Sequence, residues 1–143
     1  MSRPESFEVL DSGARQQFET GAVRDTNPGK GRFDLIPPVP LDRLAKLYEK
    51  GALKYEARNW ERGIPVSRFI DSALRHINKW REGYRDEDHL IQAVFNLFGA
   101  VHTQEMVSRG LLDRSLYDIP TYLGAECSSS SPQSLPMEAR YHA

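Results

Sequence analysis

The chain has 143 residues, and its 19 basic and 20 acidic side chains leave a formal net charge of −1. With 39% apolar residues it suits one domain, which at this size buries about 68% of its unfolded surface. That near-neutral balance argues against a general binder of nucleic acid or anionic membranes, and a single cysteine, Cys127, excludes an intramolecular disulfide framework.

In chain order, the opening MSRPESFEVL carries no signal-like apolar run, and no stretch reaches the roughly 18 apolar residues of a membrane span. A soluble, cytoplasmic protein is expected. Residues 1–40 are punctuated by turn formers, as in Asp25-Thr26-Asn27-Pro28-Gly29-Lys30-Gly31, and read as loop. Pro37, Pro38 and Pro40 hold off any helix until Leu41. A first helix is expected over 41–57, with Leu44, Leu47, Tyr48, Gly51, Ala52 and Tyr55 on one stripe facing a core. A second begins near Ser67, taken as its N-cap, carries Phe69, Ile70, Ala73, Leu74, Ile77 and Trp80, and ends at Gly83.

The third helix is expected from Asp86 to Ser108, with Gly110 as its stop. It is apolar around most of its circumference, which belongs at the centre of a bundle or in an oligomer interface. Asp88, His89, Gln92, Asn96, Gly99 and Thr103 form one polar seam that must face water, a partner or a site. No period-2 segment of useful length competes. The fold expected is all-α: a compact helical bundle over 1–124 with a loop-rich start and a disordered tail over 125–143.

Several motifs fail. A phosphate loop at Gly29-Lys30 would need Gly at position 24 and Ser or Thr at 31, where Arg24 and Gly31 stand. His76, His89, His102 and His142 form no HExxH pair, Asp88-His89 reverses the order of an HD pair, and Cys127 has no base beside it.

Four constellations remain, each with a plain structural alternative. Glu49, Asp71, Asp86, Glu87 and Asp88 are carboxylates that packed helices can bring to a divalent cation; alternatively Asp86 is an N-cap, Glu87 and Asp88 complement the helix dipole, and Asp71 pairs with Arg75. His76 is either a satisfied histidine at the core edge or a metal or phosphate ligand. The run Lys54-Tyr55-Glu56-Ala57-Arg58-Asn59-Trp60 can grip a polyanion and stack a base, with Arg75 and Lys79 adding charge, or simply cap a helix over a buried Trp60. In Gly29–Pro37, glycines let a ligand approach and Asp34 can accept from a purine edge, unless the segment is an ordinary loop.

Together, ETGAVRDTNPGKGRFDLIP, KYEARNW, DSALRHINKW and DEDHLIQAVFNL resemble a phage family of dATP/dGTP diphosphohydrolases, of the cyanophage MazZ type, within the MazG-like all-α NTP pyrophosphohydrolases. The resemblance spans residues 19–110. It implies Mg²⁺- or Mn²⁺-dependent hydrolysis of dGTP and dATP between the α- and β-phosphates, giving dNMP and pyrophosphate. It also implies a homodimer or homotetramer in the host cytoplasm that supplies dGMP for 2-aminoadenine nucleotides. MazG-like enzymes carry ExxE and ExxD carboxylates; with Arg58-Asn59-Trp60 and Trp80 setting the register, one such position falls on His76 and two on His89 and Gln92. Glu49, Asp71, Glu87 and Asp88 are the substitutes expected to hold metal, with Glu49 and Glu87 catalytic and Glu49 preferred as base. Lys54, Arg58, Arg75 and Lys79 are expected to hold phosphates, Asn59, Trp60, Lys30, Arg32 and Asp34 the sugar and base, and His76 is counted among the substrate-binding residues. The rival readings are a MazG-like enzyme for another nucleotide and a non-catalytic helical interaction protein.

Overall fold

The computed structural model describes residues 13–26 and 29–123; the tail expected over 125–143, Cys127 and His142 lie outside them. Its contacts divide the chain into two units, residues 1–41 and 42–143, each described by itself. In the first unit, β1 (Arg15–Gln17) pairs antiparallel with β2 (Val23–Asp25), Gln16 opposite Arg24. Sequence patterning gave no sign of this hairpin, because strands of three exposed residues carry no buried face to alternate against. A 3₁₀ turn follows over Phe33–Leu35.

The rest is helical, as the apolar spacing requires. Helix α1 (Pro38–Tyr55) begins three residues earlier than expected, with Pro38 and Pro40 inside its first turn. The first amides of a helix have no internal acceptor, so proline costs nothing there and its fixed φ assists. The helix stops at Tyr55, two residues short of the expected Ala57, because Glu56 and Arg58 take positive φ of 88° and 61°. A 3₁₀ turn over Asn59–Arg62 leads into α2 (Val66–Glu82), closed by Gly83 at φ 98°. Ser67 lies inside α2 and is no N-cap; its amide and hydroxyl instead donate to the carboxylate of Asp118, 51 residues on. Helix α3 (His89–Ser108) starts three residues later than expected, capped by Asp88, which accepts from the Ile91 amide.

Helices α2 and α3 make the principal packing of the second unit, around Val66, Phe69 and Ala100 with Ile64 and Ile70 against them. The polar seam of α3 turns inward. His89 is 1% exposed and Thr103 0%; Asn96 and Gly99 are buried as well. Its buried side chains have partners: Asn96 Nδ2 donates to the Gln92 carbonyl and Thr103 Oγ1 to that of Ile64. No buried side-chain nitrogen or oxygen among the described residues lacks one. Gly99 is needed because the Phe69 ring occupies the space of its missing side chain, 2.3 Å from where a Cβ would stand. With the seam inside, the apolar flank faces out: Leu90, Leu97 and Val101 are exposed along α3, and Leu74 and Ile77 along α2. The stripe of α1 buries only Leu44 fully, and the rest of it lines clefts.

Candidate functional site

The seam delivers His89 to the end of α3 that meets α2, where His76 sits on the facing turn. The two rings are 5.3 Å apart, and Nδ1 of His76 lies 3.0 Å from Nδ1 of His89. The opposite nitrogen of His89, Nε2, lies 2.9 Å from the Asp86 carboxylate. Glu87, in the short loop between the helices, completes a group in which one ligand atom from each of His76, Glu87 and His89 lies within 4.8 Å of the others. Burial holds the His76 imidazole below its usual pKa against the opposing pull of Glu87, so the ring is neutral at pH 7 with a lone pair to offer. Two imidazoles and a carboxylate are a donor set a divalent cation accepts, so the residues present fit a metal ion.

A cleft of about 450 Å³ opens onto His76 and Glu87. Lys50, Lys54, Arg75 and Lys79 stand on its walls, a cationic rim of the kind that holds phosphate groups. Gly51, Tyr55 and Phe95 are shared with a second cleft of about 530 Å³, which is aromatic in character. Tyr48 packs on Phe95 at 4.8 Å and edge-on to Trp60 at 6.2 Å. Arg58 lies 5.7 Å over Trp60, and Asn59 completes that wall. The arrangement sets a charged compartment beside an aromatic one, the form of a molecule with phosphates at one end and a flat ring at the other.

The residues expected from sequence divide into distinct groups. Lys54, Arg75, His76, Lys79 and Glu87 share the cationic cleft, and Arg58, Asn59 and Trp60 the aromatic one. Asp88 is engaged by Arg43 through two bonds of 2.8 and 2.5 Å, which hold its carboxyl below the ordinary range, and it caps α3. Asp71 pairs with Arg75 one turn on. Glu49 is exposed on α1 and borders neither cleft. Lys30, Arg32 and Asp34 belong to the first unit, where Arg32 clasps Asp34 at 2.7 and 2.6 Å.

His89 was absent from the expected ligands. The signal for it existed: the family register places acidic positions on both His76 and His89, which marks the two as one cluster.

A family model described as dATP/dGTP diphosphohydrolase, N-terminal, matches residues 20–112. Comparison with curated proteins found no match, and comparison with solved structures found none. No helix among the described residues is long and apolar enough to cross a membrane. The matched segment contains α1, α2, α3, both clefts and the His76–Glu87–His89 group, and the chain belongs to the dATP/dGTP diphosphohydrolase family.

Proposed function

We propose that the chain hydrolyses purine deoxynucleoside triphosphates, dGTP and dATP, to the monophosphate and pyrophosphate. The observation that carries this reading is the junction of the cationic cleft, with His76 and Glu87 on its wall, and the aromatic cleft that shares Gly51, Tyr55 and Phe95 with it. A triphosphate lies along Lys54, Arg75 and Lys79, while Trp60, Tyr48 and Phe95 offer faces to a base and Asn59 a polar edge. His76, Glu87 and His89 would hold Mg²⁺ or Mn²⁺. Such an ion supplies charge neutralisation for the phosphates and acidifies a bound water.

Water attacks Pα, the bond from Pα to the bridging oxygen of Pβ breaks, and pyrophosphate leaves. A carboxylate oxygen of Glu87 accepts the proton of the attacking water. Lys54, Arg75 and Lys79 steady the negative charge that grows on the leaving group. Glu87 takes precedence over Glu49 as the base because it stands on the cleft wall beside His76. Asp71 and Asp88 act by fixing Arg75 and Arg43. The first-unit loop with Lys30, Arg32 and Asp34 is assigned to sugar and base recognition on the family resemblance alone.

The exposed apolar flank of α3 supports a homodimer or homotetramer. The cyanophage-like reading, with dGMP feeding 2-aminoadenine synthesis in a host cytoplasm, rests on the same resemblance.

The test is pyrophosphate release from each of the four dNTPs with Mn²⁺ or Mg²⁺, with products separated by chromatography. Purine dNTPs yielding dNMP and pyrophosphate bear the reading out. Turnover confined to pyrimidine nucleotides replaces the specificity, and no turnover with either metal overturns the reaction.

A further inference from the structure

We infer that the His76–Glu87–His89 centre selects a first-row transition ion such as Mn²⁺ or Co²⁺ over Mg²⁺, with Asp86 as the residue that positions His89 for it. The inference takes the metal site of the hydrolysis proposed above and concerns which ion it holds.

Donor chemistry comes first. Mg²⁺ is hard, keeps its waters, and favours carboxylate and phosphate oxygens; imidazole nitrogen favours the later divalent ions. Two of the three donors here are imidazole nitrogens. Two nitrogens each about 2.1 Å from a common ion stand about 3.0 Å apart at the right angle of octahedral coordination and about 3.4 Å at the tetrahedral angle of zinc. The separation of the Nδ1 atoms of His76 and His89 is 3.0 Å.

Second comes the arrangement behind the ligands. His89 is buried, and the Asp86 carboxylate accepts from its Nε2–H. That bond assigns the proton of a neutral His89 to Nε2, which leaves the Nδ1 lone pair directed at His76 and Glu87. A carboxylate behind a ligating histidine is the recurrent outer partner of metal-bound imidazole, fixing the ring and raising its basicity.

The experiment uses the full chain loaded with Mn²⁺, Co²⁺ or Mg²⁺ alone. Mn²⁺ and Co²⁺ are expected to raise the melting temperature at concentrations at least about tenfold below Mg²⁺. Pulsed EPR of the bound Mn²⁺ should show ¹⁴N coupling from imidazole, and this should weaken in His76→Gln, a half-buried position that leaves the core intact. Asp86→Asn should raise the Kd for Mn²⁺ by about 10–100-fold with helical content unchanged. Equal response to Mg²⁺ and Mn²⁺, or bound Mn²⁺ with only oxygen ligands, overturns the inference. Pyrophosphate release is read separately: nitrogen-ligated Mn²⁺ without dNTP turnover sinks the proposed reaction and leaves this inference standing. Turnover with an all-oxygen ion does the reverse.

Discussion

His76 and His89, on different helices, present the same ring nitrogen to each other at 3.0 Å. The same two helices meet again two to three turns further along α3, where the Phe69 ring of α2 lies against Gly99. The geometry of the site and the packing of the core are therefore linked.

Gly99→Ala tests the link. A methyl group would fall 2.3–2.8 Å from three atoms of the Phe69 ring, and that ring is buried in the core. The expected cost is about 1–3 kcal/mol, seen as a lowered melting temperature. Combining it with Phe69→Leu should recover part of the loss; strict additivity of the two changes would show that the ring and the glycine do not interact.

Glu87→Gln keeps the size of the side chain and removes its charge. Turnover of dGTP should fall by about 10²-fold or more while far-ultraviolet circular dichroism stays unchanged. Glu49→Ala, made in parallel, should retain most activity. A dead Glu49→Ala enzyme beside an active Glu87→Gln enzyme would return the base to α1.

Trp60 divides its surface between Tyr48, His102 at 4.8 Å and the aromatic cleft. Trp60→Ala should raise KM for purine substrates by the equivalent of about 1–3 kcal/mol of lost stacking, and Trp60→Phe should restore much of it. An unchanged KM would remove the base from this cleft.

Asp118 carries a pH prediction. Hydrogen bonds from the Ser67 hydroxyl and amide hold its carboxyl below the ordinary value. Its folded pKa lies under the unfolded one, so its contribution is complete above the unfolded pKa of about 3.9 and fades as pH falls through the folded value. Asp118→Asn should lower the melting temperature at pH 7 and narrow its gap from the parent chain in strong acid. A gap constant with pH would mean that ionisation at 118 plays no part.

Leu97 and Val101 lie one turn apart on the outward flank of α3, Val101 being 66% exposed. Leu97→Asp with Val101→Lys should convert any dimer or tetramer to monomer in light scattering without loss of helix. Unaltered mass would move the interface elsewhere.

The sequence made the three long helices legible because apolar residues recur at helical spacing within each, as Leu44 with Leu47, Phe69 with Ala73, and Ala93 with Leu97 and Ala100 do. It misled on helix ends. Pro38 and Pro40 looked like barriers when they occupy the turn that tolerates them, and the cap of α2 came from Asp118, too distant for any local pattern. The seam of α3 was visible, but its direction was not: polarity alone suggests water, whereas His89, Asn96 and Thr103 are buried and bond to His76 and Asp86, to the Gln92 carbonyl and to the Ile64 carbonyl. Of the candidate site, the cations Lys54, Arg75 and Lys79 were legible, and they line one cleft. His89 was legible only through the family register that sets it beside His76, because periodicity gives a buried histidine no signature of its own.

The end of α1 carries a conformational cost on the wall of the aromatic cleft. Glu56 and Arg58 hold left-handed backbone without being glycine, a burden of about 1–2 kcal/mol each. Glycine at either position would relax the chain, yet it would strip a side chain from the wall of the aromatic cleft, and with it the Arg58 stack on Trp60. Stability and ligand shape thus pull in opposite directions at this corner. Variants selected only for heat resistance should drift toward glycine here and lose nucleotide affinity as they do.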